Sequence, residues 1–230
     1  MRPGELSVLV VAKAPVPGKV KTRLGAAIGA TAAAELAAAA LLDTIRCAAG
    51  AVGPARCHLA LEGDLATALR GEELSSAVEG WHVHWQRGES LGRRLVAAYA
   101  DAHAAGAGRI VQLGMDTPQV SSEKIRSLAA LLAAHEAVLG PALDGGWWGL
   151  ALRTPLLGAP VADVTMSRPT TGADTVSALR AAGLTVGIGR PLRDLDEVTD
   201  LAPIARRCAH DSHFAQAAQR VAQRLAVLAS

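Results

Sequence analysis

Lys13, Lys19, Lys21 and Arg23 crowd the stretch in which an apolar run, Leu6 to Ala12, gives way to a loop containing Pro15, Pro17 and Gly18. In an open α/β sheet, ligands bind beyond the carboxyl ends of the strands, and helix N-termini there favour anions. Four cations at such a loop point to a phosphate-rich ligand such as a nucleotide, although a plain solvated basic loop has the same composition. The loop is neither a Walker A motif, because Lys13 stands where that motif needs glycine and Val20 follows Lys19, nor a GxGxxG turn.

Further along, Asp116 lies in the segment Gly114 to Pro118, just past another apolar run. A carboxylate there can hold Mg²⁺ or Mn²⁺ together with phosphate oxygens, or simply cap the turn before Pro118. Asp144-Gly145-Gly146 separates two apolar runs, which is a hairpin signal. The paired glycines also let a ligand approach the backbone, and Trp147 or Trp148 offers a flat surface for a base or sugar. Gln86 to Arg94, with Gly88 and Gly92, reads as a strand running into a helix start whose amides suit a ribose or phosphate; a plain strand–helix turn explains it equally well. Asp196 fits the N-cap of a following helix, or supplies a second carboxylate beside Asp116 if the fold joins them.

The elements that must position these groups alternate. Leu6–Ala12, Cys57–Glu62, His82–Gln86, Arg109–Gly114, Ala137–Pro141, Trp147–Leu152 and Leu184–Ile188 read as strands. Thr31–Ala48, Leu65–Leu69, Leu91–Ala104, Ser121–His135 and Ala173–Ala182 read as helices. Such alternation predicts an α/β fold with a mostly parallel sheet and helices on both faces, a three-layer sandwich. Ser121 is placed to cap its helix and Gly183 to end one. The stretch from Leu156 to Thr171 lacks periodicity and reads as a long loop over the active face. The tail carries Phe214, Ala217, Val221, Leu225 and Leu228 on one helical stripe. We expect a single domain over residues 1–230, with 206–230 forming a C-terminal helix packed on its own domain or on a partner.

Composition narrows the function. A net charge of +2 without a concentrated basic face argues against nucleic acid. Three scattered cysteines with no CxxC pair, and no signal-like or membrane-length apolar segment, predict a reduced cytoplasmic protein with no membrane span. His82 and His84 alternate on one strand face and lack an obvious third ligand, so they read as surface or satisfied residues.

Taken in order, these motifs resemble the nucleotide-diphospho-sugar transferase superfamily with its glycosyltransferase-A fold. Within it the chain is most similar to a bacterial family of arsenosugar-biosynthesis-type glycosyltransferases. The resemblance rests on an AKxPxPGxxKTRL loop (Ala12 to Leu24), a QxGxxLGxR segment (Gln86 to Arg94), a GxDxP turn (Gly114 to Pro118), a GPxxDGG hairpin (Gly140 to Trp148) and a DxDxxxxL close (Asp194 to Leu201). It implies a single transferase domain in which Asp116, Lys19 and Arg23 carry the chemistry. Ala12, Lys13, Gly18, Lys21, Gln86, Gly88, Gly92, Asp144, Gly145, Gly146 and Trp147 would line the nucleotide and substrate site. Asp116 and Asp196 would hold Mg²⁺ or Mn²⁺. The expected reaction is transfer from a nucleotide-sugar to a small-molecule acceptor, with charge stabilisation supplying most of the catalysis. Nucleotidyl transfer with release of pyrophosphate, and non-catalytic nucleotide binding, are the alternatives. Met115 stands where a DxD glycosyltransferase tends to show a polar or acidic residue, and Trp147-Trp148 replaces a tyrosine pair.

Overall fold

The computed structural model describes residues 5–228; residues 1–4 and 229–230 of the expected 1–230 domain lie outside the described residues. Seven strands form one sheet: β1 (Leu6–Lys13), β2 (Cys57–Glu62), β3 (His82–Trp85), β4 (Arg109–Gly114), β5 (Ala137–Pro141), β6 (Trp147–Leu152) and β7 (Val186–Ile188). Their order is β3-β2-β1-β4-β6-β5-β7. All pairs are parallel except those made by β6, which runs antiparallel to both β4 and β5. The expected mostly parallel sheet is therefore present.

Alternation along the strands divides the core. Val8, Val10, Leu59, Leu61, Val111 and Leu113 face α2 (Ala30–Val52) and α5 (Ser122–Ala130) on one side. Leu9, Ala60, Ile110, Leu139, Leu150 and Leu152 face α4 (Leu91–Ala104) and α6 (Thr171–Ala181) on the other. Successive side chains of a strand point to opposite faces, so near-continuous apolar strands mark a sheet covered on both sides.

Several boundaries differ from the sequence reading, each for a local reason. The expected helix Leu65–Leu69 is a single 3-10 turn, Leu65–Thr67, started by Asp64 accepting from the Ala66 amide. The true helix, α3 (Gly71–Ala77), follows because Gly71 alone tolerates the Leu65 carbonyl: an added Cβ would sit 2.0 Å from it. The expected helix Ser121–His135 ends at Ala130 and continues as a 3-10 turn, Leu131–Ala133, while the Ser121 cap onto the Lys124 amide forms as expected. The aperiodic stretch is also ordered: Pro155–Asp163 forms a long 3-10 segment against α4. Its eclipsed three-residue spacing and Pro160 give no 3.6-residue stripe to read. Strand β7 begins at Val186 rather than Leu184, whose amide instead returns to Leu179.

Two short helices complete the chain, α1 (Thr22–Ile28) after the basic loop and α7 (Val198–Ala205). The N-cap of α7 is Glu197, not Asp196. The Asp200 carboxylate takes the Asp196 and Glu197 amides, which pulls the helix start one residue on. The tail helix α8 (His213–Leu228) buries Phe214, Ala217 and Val221 against α2 and α7, with Leu225 partly buried beside them; the Leu228 side chain lies outside the described residues. The tail thus packs on its own domain. No helix of the described residues is long and apolar enough to cross a membrane.

Candidate functional site

Strands β1 and β4 are neighbours with Val11 opposite Gly114, so the loops that leave their carboxyl ends meet. The Lys13 amide donates to Met115 Sδ at 3.2 Å, joining the two loops. A third segment arrives from far along the chain. Leu192 bridges Ala142, the Leu195 amide donates to the Asp116 carbonyl at 3.0 Å, and the Gln119 side chain holds the Arg193 carbonyl. Leu195 is fully buried, which leaves Asp194 and Asp196 on the opposite side of this extended segment. The fold thereby brings Asp116 and Asp196 to one place, as expected.

Between them lies a residue predicted only as a phosphate contact. Lys21 Nζ is 3.0 Å from Asp116 Oδ2 and 3.2 Å from Asp196 Oδ1. The Lys21 side chain is 12% exposed, against 38% and 40% for its partners. Burial alone would depress its pKa, but the two carboxylates outweigh that and hold it above the ordinary lysine range. Its backbone is left-handed, at φ 45° and ψ 48°, where it serves as the N-cap of α1 without a side-chain cap bond. A non-glycine residue there costs about 1–2 kcal/mol and persists only where its surroundings dictate it.

The other basic residues of the loop behave differently. Lys13 pairs with Glu62 at 3.2 Å, and Glu62 also takes Arg94 at 2.6 Å, tying the loop to the start of α4. Lys19 and Arg23 are exposed, and neither side chain has a hydrogen bond or ion pair to a described residue. These two are therefore the cations available to a ligand. Gly18, at φ 76°, lets the loop turn between Pro17 and Lys19.

Asp194 entered the sequence analysis only as the first residue of the DxDxxxxL close and was given no role at the site. Burial, reinforced by Asp116 and Asp144, pushes its carboxyl up to about 8, and its Oδ1 has no hydrogen-bond partner among the described residues. The alternation Asp194-Leu195-Asp196 was the available signal: in an extended segment it places both acids on one side.

The remaining predicted positions have packing and loop-holding contacts of their own. Ala12 is buried in β1, and Gln86 Nε2 donates to the Ala12 and Ala60 carbonyls, joining the ends of β1 and β2. The Gly88 carbonyl accepts from Arg94. Gly92 is buried where a Cβ would meet the Val161 and Ala162 carbonyls at 2.5 and 2.7 Å, so it lets α4 dock on the 3-10 segment. The β5–β6 hairpin forms as read, with Asp144 Oδ1 accepting the Gly146 amide. A side chain at Gly145 would strike the Pro169 carbonyl, while the Gly145 carbonyl takes the Gly172 amide. These glycines seat the loop before α6 on the hairpin. Trp147 packs into the α4 side of the core, and Trp148 is buried with its Nε1 donating to the Arg190 carbonyl. Beside the α4 N-terminus a cavity of about 440 Å³ is lined by Ser90, Leu91, Arg93, Asp163, Thr165 and Met166.

A second ionisable cluster lies towards the sheet's β3 edge. The register sets His58 of β2 opposite His82 of β3. The fully buried His58 ring stacks on His82 and His84 with centroids 4.8 and 5.6 Å apart. His82 and His84 thus do have a third histidine beside them, contrary to the sequence reading, which had no register to place it. Burial first, then its two neighbours, pull His58 down to about 4. Among the described residues, no group of three or more His, Cys, Asp or Glu side chains is arranged to hold a metal ion.

A divalent ion is the cofactor that the family resemblance implies. Paired carboxylates are suitable donors, but here the Lys21 ammonium fills the space between them and bonds to both. In this arrangement the pair does not fit a metal ion.

The family model described as "Uncharacterized protein conserved in bacteria (DUF2064)" matches residues 44–168. The chain belongs to this family. The matched part of this DUF2064 chain includes Asp116 and the Asp144 hairpin, whereas Lys21, Asp194 and Asp196 fall outside it. No curated protein matches the chain by sequence. Among solved structures, a Desulfovibrio desulfuricans G20 protein, provisionally described as a nucleotide-diphospho-sugar transferase, is 26% identical with a TM-score of 0.79. The match covers 95% of this chain and 98% of that one. A 4-diphosphocytidyl-2C-methyl-D-erythritol synthase is 14% identical with a TM-score of 0.55, covering 90% and 98% of the two chains. A CMP:2-keto-3-deoxy-manno-octonic acid synthetase complexed with CTP is 13% identical with a TM-score of 0.54, covering 87% and 96%. These likenesses establish the nucleotide-diphospho-sugar transferase fold.

Proposed function

We propose that this DUF2064 chain is a nucleotide-dependent transferase of the glycosyltransferase-like kind, moving a sugar from a nucleotide-sugar to a small-molecule acceptor. The observation that carries the reading is the pair of unpartnered cations, Lys19 and Arg23, at the carboxyl edge of the sheet, beside the Lys21–Asp116–Asp196 centre. Whole-length likeness to the Desulfovibrio protein supports it. Lys19 and Arg23 would take the diphosphate of the leaving nucleotide, a contact that strengthens as charge develops in the transition state. Gln86 and the Glu62–Arg94 pair hold the loop and the α4 start in place, and the Gly145–Gly146 turn would border the sugar or acceptor.

Nucleotidyl transfer is the second reading, supported by the closeness of Asp116 and Asp196, which share the Lys21 ammonium.

Thermal-shift measurements with nucleoside triphosphates, nucleoside diphosphates and nucleotide-sugars, each with Mg²⁺, Mn²⁺ or EDTA, test the site. A ligand at a hundred times its Kd adds about 2.7 kcal/mol of apparent stability. A shift by one nucleotide family, lost in Lys19→Ala/Arg23→Ala, is expected; no shift by any nucleotide overturns the reading. Released nucleoside diphosphate rather than pyrophosphate then selects sugar transfer.

A further inference from the structure

The geometry points to Lys21 as the resident cation of this site: its ammonium takes the position between Asp116 and Asp196, so the unliganded protein keeps that position closed to a divalent ion. The inference rests on the nucleotide-site reading above for its meaning, but not for its test.

Three observations converge. The contacts at 3.0 and 3.2 Å place one ammonium against both carboxylates at once. The Lys21 side chain is the least exposed member of the trio, so it is enclosed by the acids rather than laid over them. Its backbone holds a left-handed conformation that other residues of the loop do not need, apart from Gly18, and nothing else in the cap rewards that strain. The strain thus serves to turn this one lysine inward, while Lys19 and Arg23 stay outside. An ammonium carries three donors and one charge, enough to satisfy two carboxylate oxygens without recruiting further ligands. A divalent ion between the same two groups would face the ammonium at contact distance, and like charges that close oppose its binding. The consequence for substrate choice is that phosphate charge must be met mainly by the protein's own Lys19 and Arg23, since Lys21 is held by the two acids.

The test uses the full-length protein and Mn²⁺ alone, with free Mn²⁺ read by electron paramagnetic resonance. Wild type is expected to take up Mn²⁺ at least ~10-fold more weakly than Lys21→Met, which frees the two carboxylates, and adding Asp116→Asn to that variant is expected to abolish the gain. Melting gives an independent readout: Lys21→Met should lose thermal stability in EDTA and regain it in Mn²⁺. If the variant is unfolded in EDTA, its refolding in Mn²⁺ is the same signal. Tight uptake by wild type that disappears in Asp116→Asn overturns the inference, and that half of the experiment needs no lysine variant. Equal uptake by wild type and Lys21→Met, or uptake by neither, overturns it as well. Because no nucleotide is present, failure here is separate from failure of the transferase reading, which shows as absence of any nucleotide-induced shift.

Discussion

The sheet carries two ionisable clusters, each around one well-buried member, and they are built on opposite principles. At the carboxyl edge of β1 and β4, Lys21 lies between Asp116 and Asp196, and charge is retained because opposite signs are placed together. Towards the β3 edge, the buried His58 stacks on His82 and His84, and burial together with these two neighbours disfavours its charged form. The first arrangement keeps ions where a charged ligand can use them. The second tolerates the buried His58 ring only while it stays uncharged.

The contrast can be broken at four places. Lys21→Met should cost about 3 kcal/mol of stability in EDTA, the low end for removing one partner of a buried pair because both aspartates are partly exposed; chemical denaturation measures it. The histidine cluster should fail in acid. The folded pKa of His58 lies near 4, below its unfolded value near 6.5, so stability is fully present above pH 6.5 and is lost as pH falls towards 4. The loss should reach about 3 kcal/mol, and His58→Phe should flatten that part of the melting-versus-pH curve.

Asp194 shows the same logic with the sign reversed. Its folded pKa near 8 exceeds the carboxylate value of 3.8, so stability is present below pH 3.8 and is lost as pH rises towards 8. Asp194→Asn should therefore stabilise the protein at pH 8 by about 1 kcal/mol after allowance for partial exposure, seen as a raised Tm. The smallest stability effect belongs to Lys19→Ala, within about 0.5 kcal/mol of wild type because the residue is exposed. The same change should weaken nucleotide binding about tenfold by calorimetry, the cost of one lost charge-assisted contact.

Much of this was visible in the residues themselves. Strands β2, β4, β5 and β6 begin and end where the apolar runs do, because Gly, Pro and Asp punctuation coincides with the loss of core contact. The closeness of Asp116 and Asp196 was only one of two readings of Asp196 in the residues, and the family resemblance favoured it. What stayed hidden depended on pairings across the sheet or on backbone strain. The inward turn of Lys21 is a left-handed conformation that no side-chain type announces. His58 joined its partners through strand register. The 3-10 segment Pro155–Asp163 was hidden because its spacing matches neither helix nor strand period.

One carboxylate far from the crevice has a consequence for how the molecule comes apart. Buried Asp43, in the middle of α2, accepts from Ser212 Oγ at 2.6 Å, the Phe214 amide at 2.9 Å and the His213 amide at 3.1 Å, closing the first turn of α8. If α8 peeled away, that buried carboxylate would lose three donors and keep only Arg46 of its own helix, at 3.3 Å, a penalty that fraying of a surface helix does not normally carry. The tail and the long helix after the basic loop should therefore exchange their amide hydrogens as one cooperative unit, and a protease should find α8 only when α2 has also let go.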